Sequence, residues 1–319
     1  MTTTSSTGAR YRDALPQLTE QLFLTDGGLE TTLIFHDGLD LPHFAAYDLL
    51  GRPGGADVLR SYFEHYLRIA RERGVGIVLE TPTWRASPDW AERLGHSPEE
   101  LASFNQRSVA LLEQLRDEHE VAHTPIVISG CVGPRGDGYV VGETMTAAEA
   151  EAYHGVQIGT FAASAADLVT AITMTYTEEA VGVVRAARAA GLPVVISFTV
   201  EIDGRLPSGQ ALREAIEQVD AETDAAPAYF MVNCAHPTHF QHVVAADGVW
   251  KSRIRGLRAN ASKLSHAELD EAEELDEGNP VELAGEYVAL RAQLPRLSVI
   301  GGCCGTDHRH VEAMSRAWT

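Results

Sequence analysis

Eight short apolar runs alternate with charged, amphipathic segments along this chain, and that alternation constrains the fold more than any other feature. The runs fall at 22–25, 76–80, 126–129, 168–173, 194–199, 229–233, 254–259 and 297–300. They are rich in Val, Ile and Phe and mostly apolar at every position, as parallel strands buried on both faces are. The segments between them, at 57–73, 98–120, 146–163, 177–190, 208–220, 237–246, 280–293 and 307–318, carry helical periodicity. In the first, Val58, Tyr62, Leu67 and Ile69 form a core-like face. Ser97, Thr146, Thr177 and Ser208 stand where helix N-caps belong, and Gly74 and Gly191 where C-caps belong.

A chain of 319 residues can hold eight such units in one core. The expected fold is α/β, a single-domain (β/α)8 TIM barrel over 11–319, preceded by a flexible tail over 1–10. A doubly wound open sheet is the alternative. Its first turn would carry a glycine-rich phosphate loop, whereas this one reads Asp26-Gly27-Gly28-Leu29-Glu30. Two connections are long, at 27–56 and 262–279. The second is acidic, with Glu268, Asp270, Glu271, Glu273, Glu274, Asp276 and Glu277. It reads either as a solvated excursion or as a lid over the barrel mouth.

Charge narrows the partners. A net charge of −20 argues against nucleic-acid backbones and anionic membranes and leaves small molecules as partners. No stretch is long and apolar enough to span a bilayer. Residues 1–10 are Thr/Ser-rich and lack the apolar core of an export signal, so a cytoplasmic chain with reduced cysteines is expected. The oligomeric state is not legible.

Barrel enzymes work at the C-terminal ends of their strands. Here those ends carry Asp26, Glu80-Thr81, Gly130-Cys131, Asn233-Cys234, Asn260 and Gly301-Gly302-Cys303-Cys304-Gly305. All four cysteines therefore fall at one end. Adjacent residues on a regular strand point to opposite faces, so Cys303 and Cys304 can meet one ion only past the strand end, where Gly301, Gly302 and Gly305 let the backbone bend. Cys234 could supply a third thiolate, leaving one position open as catalytic zinc sites do. The competing reading is plain packing of small apolar side chains, which is the one taken for Cys131.

The segment Val299-Ile300-Gly301-Gly302-Cys303-Cys304-Gly305-Thr306, followed by His310, resembles the signature of the homocysteine S-methyltransferase family, and so does Val232-Asn233-Cys234. The resemblance runs from about Phe23 to the C-terminus. Leu24-Thr25-Asp26-Gly27-Gly28 looks like the family's first strand end. Leu79-Glu80-Thr81-Pro82-Thr83 looks like its second, with Pro82 where Asn is frequent. Gly130-Cys131-Val132-Gly133-Pro134 looks like its third, with Cys131 where Ser is usual. Ser197-Phe198-Thr199 with Asp203-Gly204 and Gly209 matches the fifth, and Asn260 the seventh. The paired cysteines with their glycines are specific; the other motifs are weak alone but occur in the family's order.

The resemblance implies a zinc-dependent S-methyltransferase. Cys234, Cys303 and Cys304 would bind Zn2+ and activate the thiol of homocysteine, which would attack a methyl group on a sulfonium or quaternary-ammonium donor and become methionine. Asp26, Gly27, Glu80, Thr81 and Asn260 would bind substrate. One departure stands out: Ile172 falls where the family tends to have a Glu for the substrate ammonium. It leaves open a different small thiol or selenol acceptor, or a non-catalytic zinc- or thiol-binding, redox-sensing barrel; Asp26 or Glu80 could otherwise compensate. Tyr47, Trp84, Tyr139 and Tyr176 are aromatic candidates for a methylated cation, with Arg85 beside Trp84 able to pair a donor carboxylate.

Overall fold

The computed structural model describes residues 8–272 and 274–318; residues 1–7, 273 and 319 lie outside that description. Eight parallel strands close into a barrel in chain order, each followed by a helix. The strands are β1 (Phe23–Leu24), β2 (Gly76–Glu80), β3 (Ile126–Val132), β4 (Leu168–Met174), β5 (Val194–Phe198), β6 (Tyr229–Asn233), β7 (Ile254–Ala259) and β8 (Val299–Gly302). The principal helices are α1 (Gly55–Arg73), α2 (Pro98–His119), α3 (Ala147–Ala162), α4 (Thr177–Ala189), α5 (Leu212–Thr223), α6 (Pro237–Val244), α7 (Pro280–Arg291) and α8 (His308–Trp318). The expected (β/α)8 barrel is thus the fold. Among the described residues no helix is long and apolar enough to cross a membrane.

Helix boundaries follow local chemistry. Ser97 and Thr146 close capping boxes with Glu100 and Glu149. Gly74 ends α1 in the left-handed region at φ 64°. The other two expected caps are displaced. Tyr176 precedes α4, and α5 begins only after Ala211, because 201–211 forms a turn closed by Arg205 and Ala211.

The lumen is layered. Phe23, Val78, Val127, Leu168, Val195, Tyr229, Met231 and Val299 fill its lower part. Side chains two residues further along a strand share that face. They are polar: Glu80 on β2, Ser129 on β3, Thr170 on β4, Ser197 on β5, Asn233 on β6 and Arg258 on β7. Helices and outer strand faces bury a separate, larger apolar shell. The floor is therefore dry and well packed, and the upper half of the lumen is built for polar chemistry.

Pairing of β8 runs through Gly301 and Gly302, opposite Arg258 and Ala259, two residues beyond the expected strand end. These two glycines are needed for space. A Cβ on Gly301 would strike Thr25 Oγ1, and one on Gly302 would strike Thr306 Oγ1. Only Gly305 adopts a left-handed conformation, at φ 77°.

The described residues that precede the barrel contact it. The backbone N–H groups of Arg10 and Tyr11 donate to Asp167 Oδ1 at 2.7 and 2.8 Å. Asp167 Oδ2 accepts from Arg116 Nη1 and the Ile128 N–H, both at 2.9 Å. The Arg116–Asp167 pair is fully buried and pins residues 8–11 to the barrel.

Candidate active site

Cys234 directly follows β6 with φ 52°, a conformation rare for residues bearing a Cβ. Three donors converge on its carbonyl: Asn260 Nδ2 at 3.1 Å, His266 Nε2 at 2.7 Å and Thr199 Oγ1 at 3.4 Å. They hold the peptide in its strained turn and aim the sulfur at the end of β8. There the Cys303 N–H donates to the Ala259 carbonyl at 2.9 Å, and Thr306 Oγ1 donates to the Cys303 carbonyl at 2.6 Å.

The three sulfurs lie within 4.8 Å of one another. Cys234 and Cys303 are joined as a disulfide, and Cys304 Sγ is 3.9 Å from Cys234 Sγ. Sulfurs gathered closely enough for two of them to bond are also close enough to share one ion once reduced. Tyr139 Oη is 3.1 Å from Cys304 Sγ, and Asn233 Nδ2 is 4.0 Å from Cys303 Sγ. Burial pushes the Cys304 thiol above its ordinary value, against the hydrogen bond from Tyr139.

The sulfurs border a cavity of about 300 Å³ at the barrel mouth. Of the expected substrate residues, Asp26, Gly27, Glu80 and Thr81 line it. Asn260 is not among the lining residues and serves the Cys234 carbonyl instead. Cys131, expected to be packing, lines the wall outside the sulfur cluster. Trp84 and Tyr139 line the cavity as expected. Tyr47 does not: it is buried against Phe104 and His96, ring centroids 5.5 and 5.8 Å away. Tyr176 is spent on the Met145 N–H at 3.0 Å. Phe35 and Phe44, from the long loop after β1, take their places at the mouth. No periodicity singled them out, because they sit in a single π-helical turn (Thr32–His36) and a single 3-10 turn (Pro42–Phe44), too short to show one.

The acidic segment covers this mouth. Leu269, Asp270, Ala272, Glu274, Leu275 and Asp276 all line the cavity, which selects the lid over the solvated excursion; Glu273 is outside the described residues. The segment is fastened at both ends. His266 meets Cys234 near its start, and near its end His310 Nε2 donates to the Glu277 carbonyl at 2.8 Å. His310, part of the cysteine motif, thus holds the cover and not the ligand. A further cluster, His36, Glu277 and Asp307, lies behind this anchor, with both carboxylates also engaged by Arg309.

Deeper in the lumen Arg258 dominates the electrostatics. Its Nη2 donates to Asp26 Oδ1 at 2.6 Å, and Tyr62 Oη donates to Asp26 Oδ2 at 3.1 Å. Burial raises the Asp26 carboxyl, opposed by Arg258. Burial pushes Glu80 up to about 7, again opposed by Arg258, and Glu30 up to about 7. Arg258 escaped the sequence reading, although it stands two residues before Asn260 on the inward face of β7. Ile172 lines the cavity, next to Thr173 at φ 62° in a bulge of β4.

A profile of the family described as homocysteine S-methyltransferase matches residues 23–318. The chain belongs to the homocysteine S-methyltransferase family. It is an enzyme of the methyltransferase class. Its fold is similar to that of the homocysteine methyltransferase MmuM from Escherichia coli. Against the metallated form the TM-score is 0.72 at 19% identity, covering 93% of this chain and 96% of that one. The oxidised form gives 0.72 and 19%, covering 96% and 98%. The apo form gives 0.66 and 18%, covering 95% and 98%. No curated protein matches the chain in sequence. In this chain the three sulfurs stand at the cavity rim, and Ile172 contributes an apolar part of its wall.

Proposed function

We propose that the protein transfers a methyl group from a sulfonium or quaternary-ammonium donor to the thiol of homocysteine, giving methionine, with zinc as its metal. The observation that carries this reading is the three-sulfur cluster at the rim of a covered cavity. Cys234, Cys303 and Cys304, once the disulfide is reduced, would hold the ion. Three thiolates suit zinc, and hydrogen-bond donors from Tyr139 and Asn233 already face the sulfurs. Bound there, zinc would supply the Lewis acidity that keeps an acceptor thiol ionised near neutral pH.

The chain's own residues do the rest. The acceptor sulfur attacks the methyl carbon; an S–C bond forms, the C–S or C–N bond of the donor breaks, and its electron pair stays on the departing heteroatom. The thiol proton leaves to solvent and the donor departs with one positive charge fewer. Phe35, Phe44 and the ring face of Tyr139 not stacked on His266 offer surface to a methylated cation. Arg85 lies over Trp84 and can pair a donor carboxylate, and Asp270, Glu274 and Asp276 add negative charge at the mouth. The cover excludes water and aligns the methyl group with the sulfur. Asp26 is committed to Arg258 and Tyr62, so Glu80, whose Oε2 has no partner among the described residues, takes the acceptor ammonium in place of the missing Glu.

The test is methionine formation by reduced, zinc-loaded protein from homocysteine and a panel of sulfonium and quaternary-ammonium donors, read by mass spectrometry. Methionine with one of the donors supports the reading. Methylation of another thiol or a selenol but never of homocysteine would move the acceptor, as Ile172 allows.

A further inference from the structure

The upper lumen contains a cation that is only partly used. Arg258 is 5% exposed and lines the cavity. Its Nε donates to the Gly302 carbonyl at 3.0 Å. Its Nη2 donates to Asp26 Oδ1 at 2.6 Å and to the Gly27 carbonyl at 3.2 Å. Its Nη1 has no hydrogen-bond partner among the described residues. A buried guanidinium nitrogen without a partner is costly, and a guanidinium offers its donors in a plane that suits carboxylate oxygens.

Position makes this nitrogen informative. The Gly302 carbonyl it is tied to belongs to the residue just before Cys303, so the cation is fixed to the peptide that presents the sulfurs. Asp26 and Tyr62 hold the other edge of the guanidinium and prevent it from swinging away. Glu80, which lines the same cavity and whose Oε2 also lacks a partner among the described residues, has the opposite sign. Ile172 adds an apolar wall that contributes no charge. A purely structural counter-ion for Asp26 would need only one edge of the guanidinium.

We propose that Arg258 reads the acceptor: its Nη1 receives the carboxylate of the thiol substrate, so this enzyme accepts thiols that carry a carboxylate at the end away from the sulfur. The inference rests on the methyl-transfer reading above and adds a specificity-determining residue to it. Arg258 acts on binding, and the acceptor's carboxylate fixes the sulfur's distance from the rim.

The test compares three acceptors on reduced, zinc-loaded protein: homocysteine, its analogue without the amino group (mercaptobutyrate), and its analogue without the carboxylate (mercaptopropylamine). On wild type, KM for mercaptopropylamine should exceed that for homocysteine by about tenfold or more. Arg258→Lys keeps a charge beside Asp26 but removes the second edge of the guanidinium. It should raise KM for homocysteine and mercaptobutyrate by about tenfold more than it raises KM for mercaptopropylamine. Equal losses for all three acceptors in Arg258→Lys, or equal KM values for homocysteine and mercaptopropylamine on wild type, would overturn the proposal. If the variant does not fold, the wild-type series decides alone. Calorimetric titration of the three thiols separates this inference from the reading it rests on. Carboxylate-selective binding without methyl transfer would leave Arg258 its role and remove the reaction. Methyl transfer indifferent to the carboxylate would do the reverse.

Discussion

His266 lies almost flat against Tyr139, with ring centroids 4.2 Å apart and planes 18° apart. The stack joins the cover to the sulfur rim. His266 opens the short helix His266–Asp270 in the acidic segment, and its Nε2 donates to the Cys234 carbonyl. Its Nδ1 lies 3.1 Å from Glu201 Oε1, so a side chain after β5 fixes the ring's orientation. Tyr139 in turn reaches Cys304. One aromatic pair therefore touches two of the three sulfur-bearing residues and the lid above them.

Replacing His266 with Ala should loosen Cys234 without unfolding the barrel. Zinc loss to a chelator should accelerate about tenfold, the size typical of a lost outer contact. Timed metal release from reduced protein, with circular dichroism on the same sample, checks this. Wild-type release would show that Asn260 and Thr199 suffice to hold the strained turn.

Cys234→Ala, Cys303→Ala and Cys304→Ala should each abolish methyl transfer and lower zinc from about one equivalent to under about a tenth. The packed lumen floor lies well below the rim, so the far-ultraviolet spectrum should not change. Samples must be kept reduced, since the Cys234–Cys303 disulfide removes two ligands at once. Elemental analysis and a turnover assay read both quantities.

Glu80 predicts a pH dependence with a definite sign. Its carboxyl is raised from 4.5 to about 7, chiefly by burial, among Arg258, Ser129, Asp26 and Thr170. The stabilisation that the buried, protonated carboxyl gives the fold is complete below about pH 4.5 and is lost as pH rises through 7. Ammonium binding runs the other way, because only the carboxylate pairs with it. KM for homocysteine should fall as pH rises through 7, and Glu80→Gln should raise KM at pH 8 by roughly thirtyfold and remove that step. Profiles of KM and kcat against pH for both proteins distinguish this from thiol ionisation, which the variant retains.

Ile172→Glu should restore an anionic partner at the β4 bulge. The apparent affinity for homocysteine should rise by about 1–2 kcal/mol, while a thiol without an amine gains nothing. A steady-state series with both acceptors tests it. Weaker homocysteine binding in the variant would mean that the bulge at Thr173 aims position 172 away from the ammonium.

At the opposite end of the barrel, Asp167→Ala should destabilise the protein by about 3–5 kcal/mol, because it strands the buried Arg116 guanidinium and removes the acceptor for three backbone N–H groups. Urea unfolding of both proteins measures the difference. A change under about 1 kcal/mol would show that the N-terminal segment contributes little.

The barrel was legible because most strand positions are apolar on both faces while the helices are amphipathic, so periodicity separates them even though the upper lumen positions are polar. The gathering of the sulfurs at one rim was legible because Cys303 and Cys304 are adjacent, flanked by glycines and placed at the same barrel end as Cys234. The remainder depended on registers that composition does not carry. Arg258 looks like an ordinary charge on a strand until the lumen's layering turns it inward. Phe35 and Phe44 sit in turns without a period. Tyr47 and Tyr176 were drawn to the mouth by their loop positions, but one packs into the shell and the other caps Met145. The acidic segment looked soluble because its sequence records charge and not what the charge overhangs.

That overhang would discriminate between the donor of the proposed reaction and its demethylated product. A cationic donor approaching the mouth meets Asp270, Glu274 and Asp276 and is drawn in. Once it has surrendered its methyl group, the same molecule carries one positive charge fewer and the field that recruited it holds it less tightly. The acidic cover would thus hold a charged donor more tightly than the spent carrier, and added salt should weaken donor capture far more than it changes carrier release.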